Sequence, residues 1–514
     1  MPNRSNNALF QLIKSLKKSE KRNFKLFVKR NSAAEDLKTI QLFDALDKMD
    51  DYNEAVLLKK NPSISKLQLS NINASLYKQI LGSLRLIKDE DNVDIQLHEQ
   101  MDYARILFNK GLYIQSLHIL DKMKKLAAAH NQITYQLQAL IFEKKIESLY
   151  ITRSIENRAD VLIGEVKAAN EKLNSISNLS NLALKLYSWY VKHGHSRTKQ
   201  DETAIKIIFE ASLPDDEGQC KSFYEKLYLY QSYCWYAFIR QDFLMYYRYT
   251  QKWVDLFSSH PFMINVETSH YIKGMHNLMG AHFDLRNYKK LDATLTEFEK
   301  FSHSNIVLNN ENNLIQTFAY LYTSKINKHF LDGSFDEGIL LVPEIENKLQ
   351  EYELYLDRHR VLVFYYKIAS MYFGSGDSSK AIDYLNKIIN WKVDLRTDLQ
   401  CYSRLLHLIA HYELGNFDLL EYLTKSVYRF MAKMENMSVV EEEMFIFLRQ
   451  SLSISPKNIK PELEKLLLKL KQHENNRLET RAFVYLDVIS WLESKINNIP
   501  VQEVIRKKFL LSKK

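Results

Sequence analysis

The residue types in this chain that could perform chemistry fall into a few short groupings, and spacing decides what each could do. Ser63 and Lys66, and again Ser75 and Lys78, set a hydroxyl and an amine one helical turn apart. A lysine there could take the serine proton in acyl transfer. The spacing is common by chance, however, and no paired acid, base or nucleophile constellation accompanies it. His193-Gly194-His195 could turn two imidazoles toward one cation. No carboxylate or thiol partner lies beside it, and a solvated turn between helices is the simpler reading. Gly374-Ser375-Gly376 joins two helical patterns and follows no strand, so it is not a phosphate cradle. The helical zinc signature, the nucleophile elbow, the Walker loop and the dinucleotide fingerprint are all absent from the sequence. The expectation is therefore a protein that is not an enzyme, with no catalytic residues, no cofactor and no metal.

Two further groupings suit binding. Residues 223–257 hold 14 aromatic side chains, whereas the chain as a whole is 12% aromatic. One helix pair cannot bury so many rings on its packing face alone. Either some face a groove, where Tyr and Trp supply area and a hydrogen bond at low entropic cost, or they are bulky packing residues with wetted hydroxyls. The second grouping is charge. Residues 1–30 carry nine basic groups and one acid, and residues 501–514 carry five and one. The net +9 of the chain therefore belongs to its ends, and the body is slightly acidic. Lys14, Lys17, Lys18, Lys21, Arg22 and Lys25 form a candidate basic patch for nucleic acid or an acidic protein surface. No helix-turn-helix pattern accompanies them, and lysines at helical spacing are more often a solvated face, so nucleic acid is the less favoured partner.

The elements that must position these groups are helices. Only 12 of 514 residues are glycine and 8 are proline. That is too few for the turns and bulges of sheet-rich folds. A turn of the form small–polar–aromatic, or close to it, recurs between amphipathic segments. It reads Gly111-Leu112-Tyr113, Gln241-Asp242-Phe243, Arg286-Asn287-Tyr288, Gly333-Ser334-Phe335, Gly376-Asp377-Ser378 and Gly415-Asn416-Phe417. From Gln241 onward the turns lie 45, 47, 43 and 39 residues apart. Turns near Ser154 and at Gly194 would fill the gap between 111 and 241. Tyr365, Ile368, Ala369, Tyr372, Ala381, Leu385 and Ile388 follow helical periodicity, with small residues where two helices would cross. This unit closely resembles the tetratricopeptide (TPR) pattern, although its period exceeds the usual TPR length.

The expected fold is all-α: a right-handed α-solenoid of about eight TPR-like pairs over 91–437, an N-terminal basic helical bundle over 1–90 and a C-terminal helical cap over 438–514. The bundle should comprise helices at 7–16, 20–28, 37–49, 53–60 and 66–86, with Ser19 starting the second. The cap should comprise helices at 440–452, 461–472, 478–495 and 501–510. Pro343 predicts a break in the helix that follows Gly333. In a TPR register the first helix of each pair lines the concave face. Candidate groove residues are then Gln231, Trp235, Lys273, His276, Tyr320, Thr323, Asn327, Tyr366 and Ser370. No apolar run is long enough to span a membrane, no secretory signal opens the chain, and three scattered cysteines form no disulfide frame. A cytoplasmic location is expected.

Three stretches resemble a family of uncharacterised bacterial TPR-like repeat proteins. They are Ser19-Glu20-Lys21-Arg22-Asn23-Phe24-Lys25-Leu26-Phe27, Ala410-His411-Tyr412-Glu413-Leu414-Gly415-Asn416-Phe417 with Tyr428-Arg429-Phe430, and Ser490-Trp491-Leu492-Glu493-Ser494. They spread over nearly the whole chain. The resemblance implies a helical repeat and no particular activity. The expected function is a protein- or peptide-binding scaffold. The alternative is a signal-sensing regulator whose basic N-terminal module contacts nucleic acid or an acidic partner.

Overall fold

In the computed structural model the backbone turns left-handed at Gly111, Gln241, Arg286, Gly376 and Gly415. Each turn closes in the same way. The amide after the turn residue reaches back five positions: Leu112 N to Leu107 O (2.9 Å), Asp242 N to Ala237 O (2.9 Å), Asn287 N to His282 O (2.8 Å), Asp377 N to Tyr372 O (2.9 Å) and Asn416 N to His411 O (3.1 Å). This closure needs a positive φ at the turn residue. Glycine adopts it freely. Gln241 and Arg286 hold φ near 57° and 53°, where a Cβ costs about 1–2 kcal/mol. Asp242, Asn287 and Asp377 then cap the next helix by accepting the amides of Met245 (3.0 Å), Lys290 (3.2 Å) and Lys380 (2.9 Å). The polar position thus ends one helix and begins another, and the residue after it is the first helical one.

The structure describes residues 8–30, 36–87, 92–149, 157–214, 216–353, 355–391, 397–432, 438–452, 454, 458–474, 476, 479 and 487–512. All the elements among them are helices, with no strand among the described residues. The chain divides into two compact units, Met1–Glu99 and Gln100–Lys514.

The first unit contains α1 (Ala8–Ser15), α2 (Lys18–Arg30), α3 (Asp36–Asp47), α4 (Glu54–Lys60) and α5 (Lys66–Arg85). They close on Leu9, Ile13, Phe24, Leu42, Phe43, Leu46, Leu76 and Ile80. Ser65 opens α5 through a capping box with Gln68. Ser19, expected to start α2, lies inside it. The Glu20 carboxylate accepts the Lys17 amide at 2.7 Å, so the helix starts earlier.

Helix α6 (Val93–Asn109) spans the boundary between the units. The second unit continues with α7 (Tyr113–Ala129), α8 (Ile133–Glu147), α9 (Arg158–His193), α10 (Lys199–Glu210), α11 (Phe223–Ile239), α12 (Phe243–Ser259), α13 (Met263–Val266), α14 (Thr268–Asp284) and α15 (Tyr288–Ser302). Next come α16 (Asn305–Leu308), α17 (Glu311–Asp332), α18 (Phe335–Ile339), α19 (Val342–Glu351), α20 (Arg358–Ser375), α21 (Ser378–Ile389), α22 (Thr397–Glu413) and α23 (Phe417–Ala432). The last four are α24 (Val439–Ser451), α25 (Ile459–Lys471), α26 (Val488–Asn497) and α27 (Val501–Ser512). The turn expected near Ser154 and most of the start of the helix expected at 478–495 lie outside the described residues.

Helices pack largely in chain order: α11 on α12, α12 on α14, α14 on α15 and α17, α18 on α20, α20 on α21, and α21 on α22. A continuous apolar core runs through them from Ile133 to Ile505. The backbones approach closely at small residues. Ala369 and Ala381 are fully buried, and a Cβ on Gly274 would meet the Trp253 indole at 3.0 Å. The region between Gly111 and Gln241 departs from the expected period. The chain reverses again at Asn131, and α9 then runs for 36 residues and packs on both α8 and α11. The break expected at Pro343 is present: α18 stops after 5 residues and α19 restarts with the proline in its first turn.

Gly333 closes differently: the Ser334 amide donates to Asp332 Oδ1 (3.0 Å), and α27 returns to this turn. A Cβ there would meet the Gln502 carbonyl at 2.7 Å and the Arg506 amide at 2.9 Å. Gln502 donates to Asp336 Oδ2 at 3.1 Å, and Arg506 donates to the Asp332 carbonyl at 3.3 Å. Gly333→Ala therefore combines a positive-φ penalty of about 1–2 kcal/mol with backbone overlap of about 1–3 kcal/mol. Gly111→Ala meets open space and carries the φ penalty alone. Thermal melts should show the larger loss for Gly333→Ala, and limited proteolysis should release α27 only in that variant. Equal losses in the two variants would contradict the docking described here.

Candidate binding groove

Helices α14, α17 and α20 each bring residues spaced three or four apart to one cavity of about 420 Å³. From α14 come Lys273, His276, Asn277 and Gly280, from α17 Tyr320, Thr323 and Asn327, and from α20 Arg360, Val363 and Lys367. Trp235 and Phe238 of α11 and Tyr187 and Tyr190 of α9 form a further wall. Each contributing set lies on a single helix face, as the 3.6-residue period requires. Ion pairs on the side of α17 that faces α15 hold that helix in register: Lys325–Glu299 at 2.6 Å and Lys328–Asp292 at 2.5 Å.

Seven of the nine groove positions read from the sequence line this cavity: Trp235, Lys273, His276, Tyr320, Thr323, Asn327 and Tyr366. Tyr366 itself is buried. Ser370 lines a neighbouring cavity, its hydroxyl donating to the Tyr366 carbonyl at 2.9 Å. Gln231 lies one turn before Trp235 and is not among the lining residues, and its Nε2 is enclosed without a hydrogen-bond partner. Arg360 and Lys367 were not read from the sequence. On α20 the sequence reading named Tyr366, which lines the cavity, and Ser370, which lines the neighbouring one, whereas the cationic face of that helix runs through 360, 363 and 367. The seven-residue spacing of Arg360 and Lys367 was the available signal.

The electrostatics of the cavity centre on His276. Its ring stacks on Tyr320 at 4.0 Å, and its Nδ1 is enclosed with no hydrogen-bond partner among the described residues. Burial, then Arg360, Lys273 and Lys367 in that order, push its pKa down to about 3. All three cations therefore lie within electrostatic reach of one imidazole. Arg360 donates to Tyr320 Oη at 3.4 Å and stands 3.3 Å from Asp357, which also caps α20. Lys367 donates to Asn327 Oδ1 and lies over the Phe330 ring. Lys273 lies over Trp235 and Tyr187, 5.3 and 5.6 Å from the ring centres. Burial, then Arg360, lowers its pKa.

The aromatic zone divides between packing and lining. Phe223, Tyr224, Tyr233, Tyr236, Tyr246, Tyr249, Trp253 and Phe257 are buried. Tyr233 stacks on Tyr249 at 3.9 Å and Phe209 stacks on Tyr236 at 4.0 Å. Trp235, Phe238 and Tyr246 reach the cavity. A second cavity of about 210 Å³ shares Phe283, Asp284 and Phe330 with the first. Val501, Ile505 and Phe509 of α27 form part of its wall, and Phe509 meets Tyr288 at 4.8 Å. Helix α26 is tied to α22 in turn. The Trp491 indole donates to Glu413 at 2.6 Å and Lys495 pairs with the same carboxylate at 2.9 Å.

In the first unit, α3 engages part of the basic patch. Lys14 donates to the Asp47 carbonyl at the end of α3 (2.7 Å), Lys21 pairs with Asp47 (2.6 Å) and Lys25 with Asp44 (2.6 Å). Lys17, Lys18 and Arg22 are exposed. The remaining groupings are also accounted for. His195 Nδ1 lies 2.8 Å from the Phe238 carbonyl, while the His193 ring packs on Trp189. Ser63 donates to Gln41, and Lys66 pairs loosely with Glu54. Gly376 is the left-handed turn between α20 and α21. Among the described residues no group of three or more His, Cys, Asp or Glu side chains is placed to hold a metal ion, and no helix is long and apolar enough to cross a membrane. No family model matches the chain, and no curated protein matches it significantly.

The depressed histidines set a pH dependence. His276 is held to about 3, and His282 and His407 to about 4, each chiefly by burial. The unfolded chain, with histidines near 6.5, binds more protons at intermediate pH. The resulting stability is complete above about pH 6.5 and is lost as pH falls toward the folded values. His276→Phe keeps a ring on Tyr320 and removes the basic nitrogen. Its stability should fall less steeply below pH 6.5, by up to about 1.4 kcal/mol per pH unit. Thermal or urea melts from pH 7 to 5 measure this, and an unchanged slope would contradict the burial of His276.

Proposed function

We propose that the chain is a non-catalytic protein- or peptide-binding scaffold, built as a right-handed TPR-like α-solenoid whose first helices line a binding face. It would then belong with the bacterial TPR-like proteins that its sequence resembles. One observation carries the reading: three successive first helices, α14, α17 and α20, turn one face each to a single cavity, and among its apolar residues that lining carries Lys273, His276, Asn327, Arg360 and Lys367. The repeated turn closure supports the solenoid part of the reading, because the same two-residue reversal recurs at Gln241, Arg286, Gly376 and Gly415 and joins helices that pack on one another. The alternative, a regulator acting through a basic N-terminal module, rests on the exposed Lys18 and Arg22, since α3 already engages Lys14, Lys21 and Lys25.

A photo-crosslinking residue placed at Thr323, inside the cavity, should capture other proteins in cells. The same residue at Thr296, exposed on α15, should not. Only self-links at Thr323, or equal capture at both positions, would count against the groove.

A further inference from the structure

The cavity between α14, α17 and α20 holds a charge that the chain itself leaves uncompensated. The Lys273 ammonium rests on the rings of Trp235 and Tyr187 and has no carboxylate or hydrogen-bond acceptor among the described residues. A cation taken out of water without a partner is costly, and chains rarely keep one unless something else supplies the counter-charge. Arg360 and Lys367 add to the positive charge around the same imidazole, His276. Two carboxylates border the cavity, Asp284 and Asp357, and Asp357 is already committed to the start of α20 and to Arg360. Three cations against two carboxylates leave one excess positive charge. The His276 Nδ1, enclosed and without a partner, supplies a nitrogen that can donate to an oxyanion in one tautomer.

We propose that this cavity receives a carboxylate of an acidic peptide segment, held between Lys273, Arg360 and Lys367 beside His276. The assignment deepens the groove reading and rests on it. A single carboxylate matches the excess of one charge. A phosphate would bring a larger negative charge against Asp284 and Asp357. The rings of Trp235 and Phe330, already under Lys273 and Lys367, keep water from the pair and strengthen it. Binding would remove the penalty that Lys273 bears in the free protein.

The test is fluorescence anisotropy with the full chain at fixed ionic strength, using a fluorescein-labelled oligoglutamate peptide, its oligoglutamine counterpart, and inorganic pyrophosphate as competitor. Saturable oligoglutamate binding is expected, with none for oligoglutamine. Lys273→Met and Arg360→Met should each weaken it about tenfold or more. Lys273→Arg should retain it, and Lys18→Gln, on the exposed N-terminal patch, should leave it unchanged. Lys273→Met should also melt at a higher temperature than the unchanged protein when no peptide is present, which shows at the same time that the variant folds. The proposal is overturned by absence of saturable binding, by equal binding in Lys273→Met, or by Lys273-dependent binding of pyrophosphate without binding of the peptide. Crosslinks at Thr323 without oligoglutamate binding would remove the acidic class and leave the groove, whereas loss of both results would remove the groove reading as well.

Discussion

The architecture depends on a small backbone event: a helix that ends on a residue with positive φ, followed by a polar residue that caps the next helix. At Gln241-Asp242, Arg286-Asn287 and Gly376-Asp377 the same two residues satisfy the last carbonyls of one helix and the first amides of the next. The reversal is thereby fixed in direction within two residues. The phase in which α12, α15 and α21 begin, and so the faces they turn to α11, α14 and α20, follows from it. Gln241 and Arg286 accept a strained backbone in that role, which indicates how strongly the surrounding packing holds the turn.

Packing then separates two kinds of helix surface. One is apolar and runs into the continuous core, with Gly274 against Trp253 and buried Ala369 and Ala381 allowing close approach. The other carries Lys273, His276, Tyr320, Asn327, Arg360 and Lys367 around a cavity. Half-buried cations and a neutralised histidine lower the stability of the free protein, and the large core offsets that cost. The return of α27 to Gly333 and to the cavity beside Phe283 and Phe330 places part of the basic C-terminal segment next to this surface.

Much of the helical framework was legible in the sequence because its signals are local. Glycine scarcity excluded sheet-rich folds, turn residues marked the reversals, and helical periodicity placed the first five helices within a few residues of where they lie. The failures are equally local. Ser19 looked like a cap, but the side chain of Glu20 caps Lys17 and moves the start. Asn131 carries no glycine or aromatic to announce the turn it makes, and the 36-residue α9 hides a missing reversal behind ordinary periodicity. The cavity was legible where register could be counted from a turn, as for Lys273 and His276 after Thr268 or for Thr323 and Asn327 before Gly333. On α20 the same counting reached Tyr366, on the cavity, and Ser370, on its neighbour, but not the cations Arg360 and Lys367. That Lys273 lacks a counter-charge could not be read from the sequence at all, because it depends on which acids from four separate helices do not arrive.

The central claim is that α14, α17 and α20 present one ligand-facing surface, while α15 and α21 behind them do not. Hydrogen–deuterium exchange of the full chain, alone and with a captured partner, addresses it directly. The account predicts that added protection concentrates in α14, α17 and α20 around residues 273–280, 320–327 and 360–367, with α15 and α21 unchanged. Protection falling instead on α15 and α21, or confined to the first unit, would contradict it.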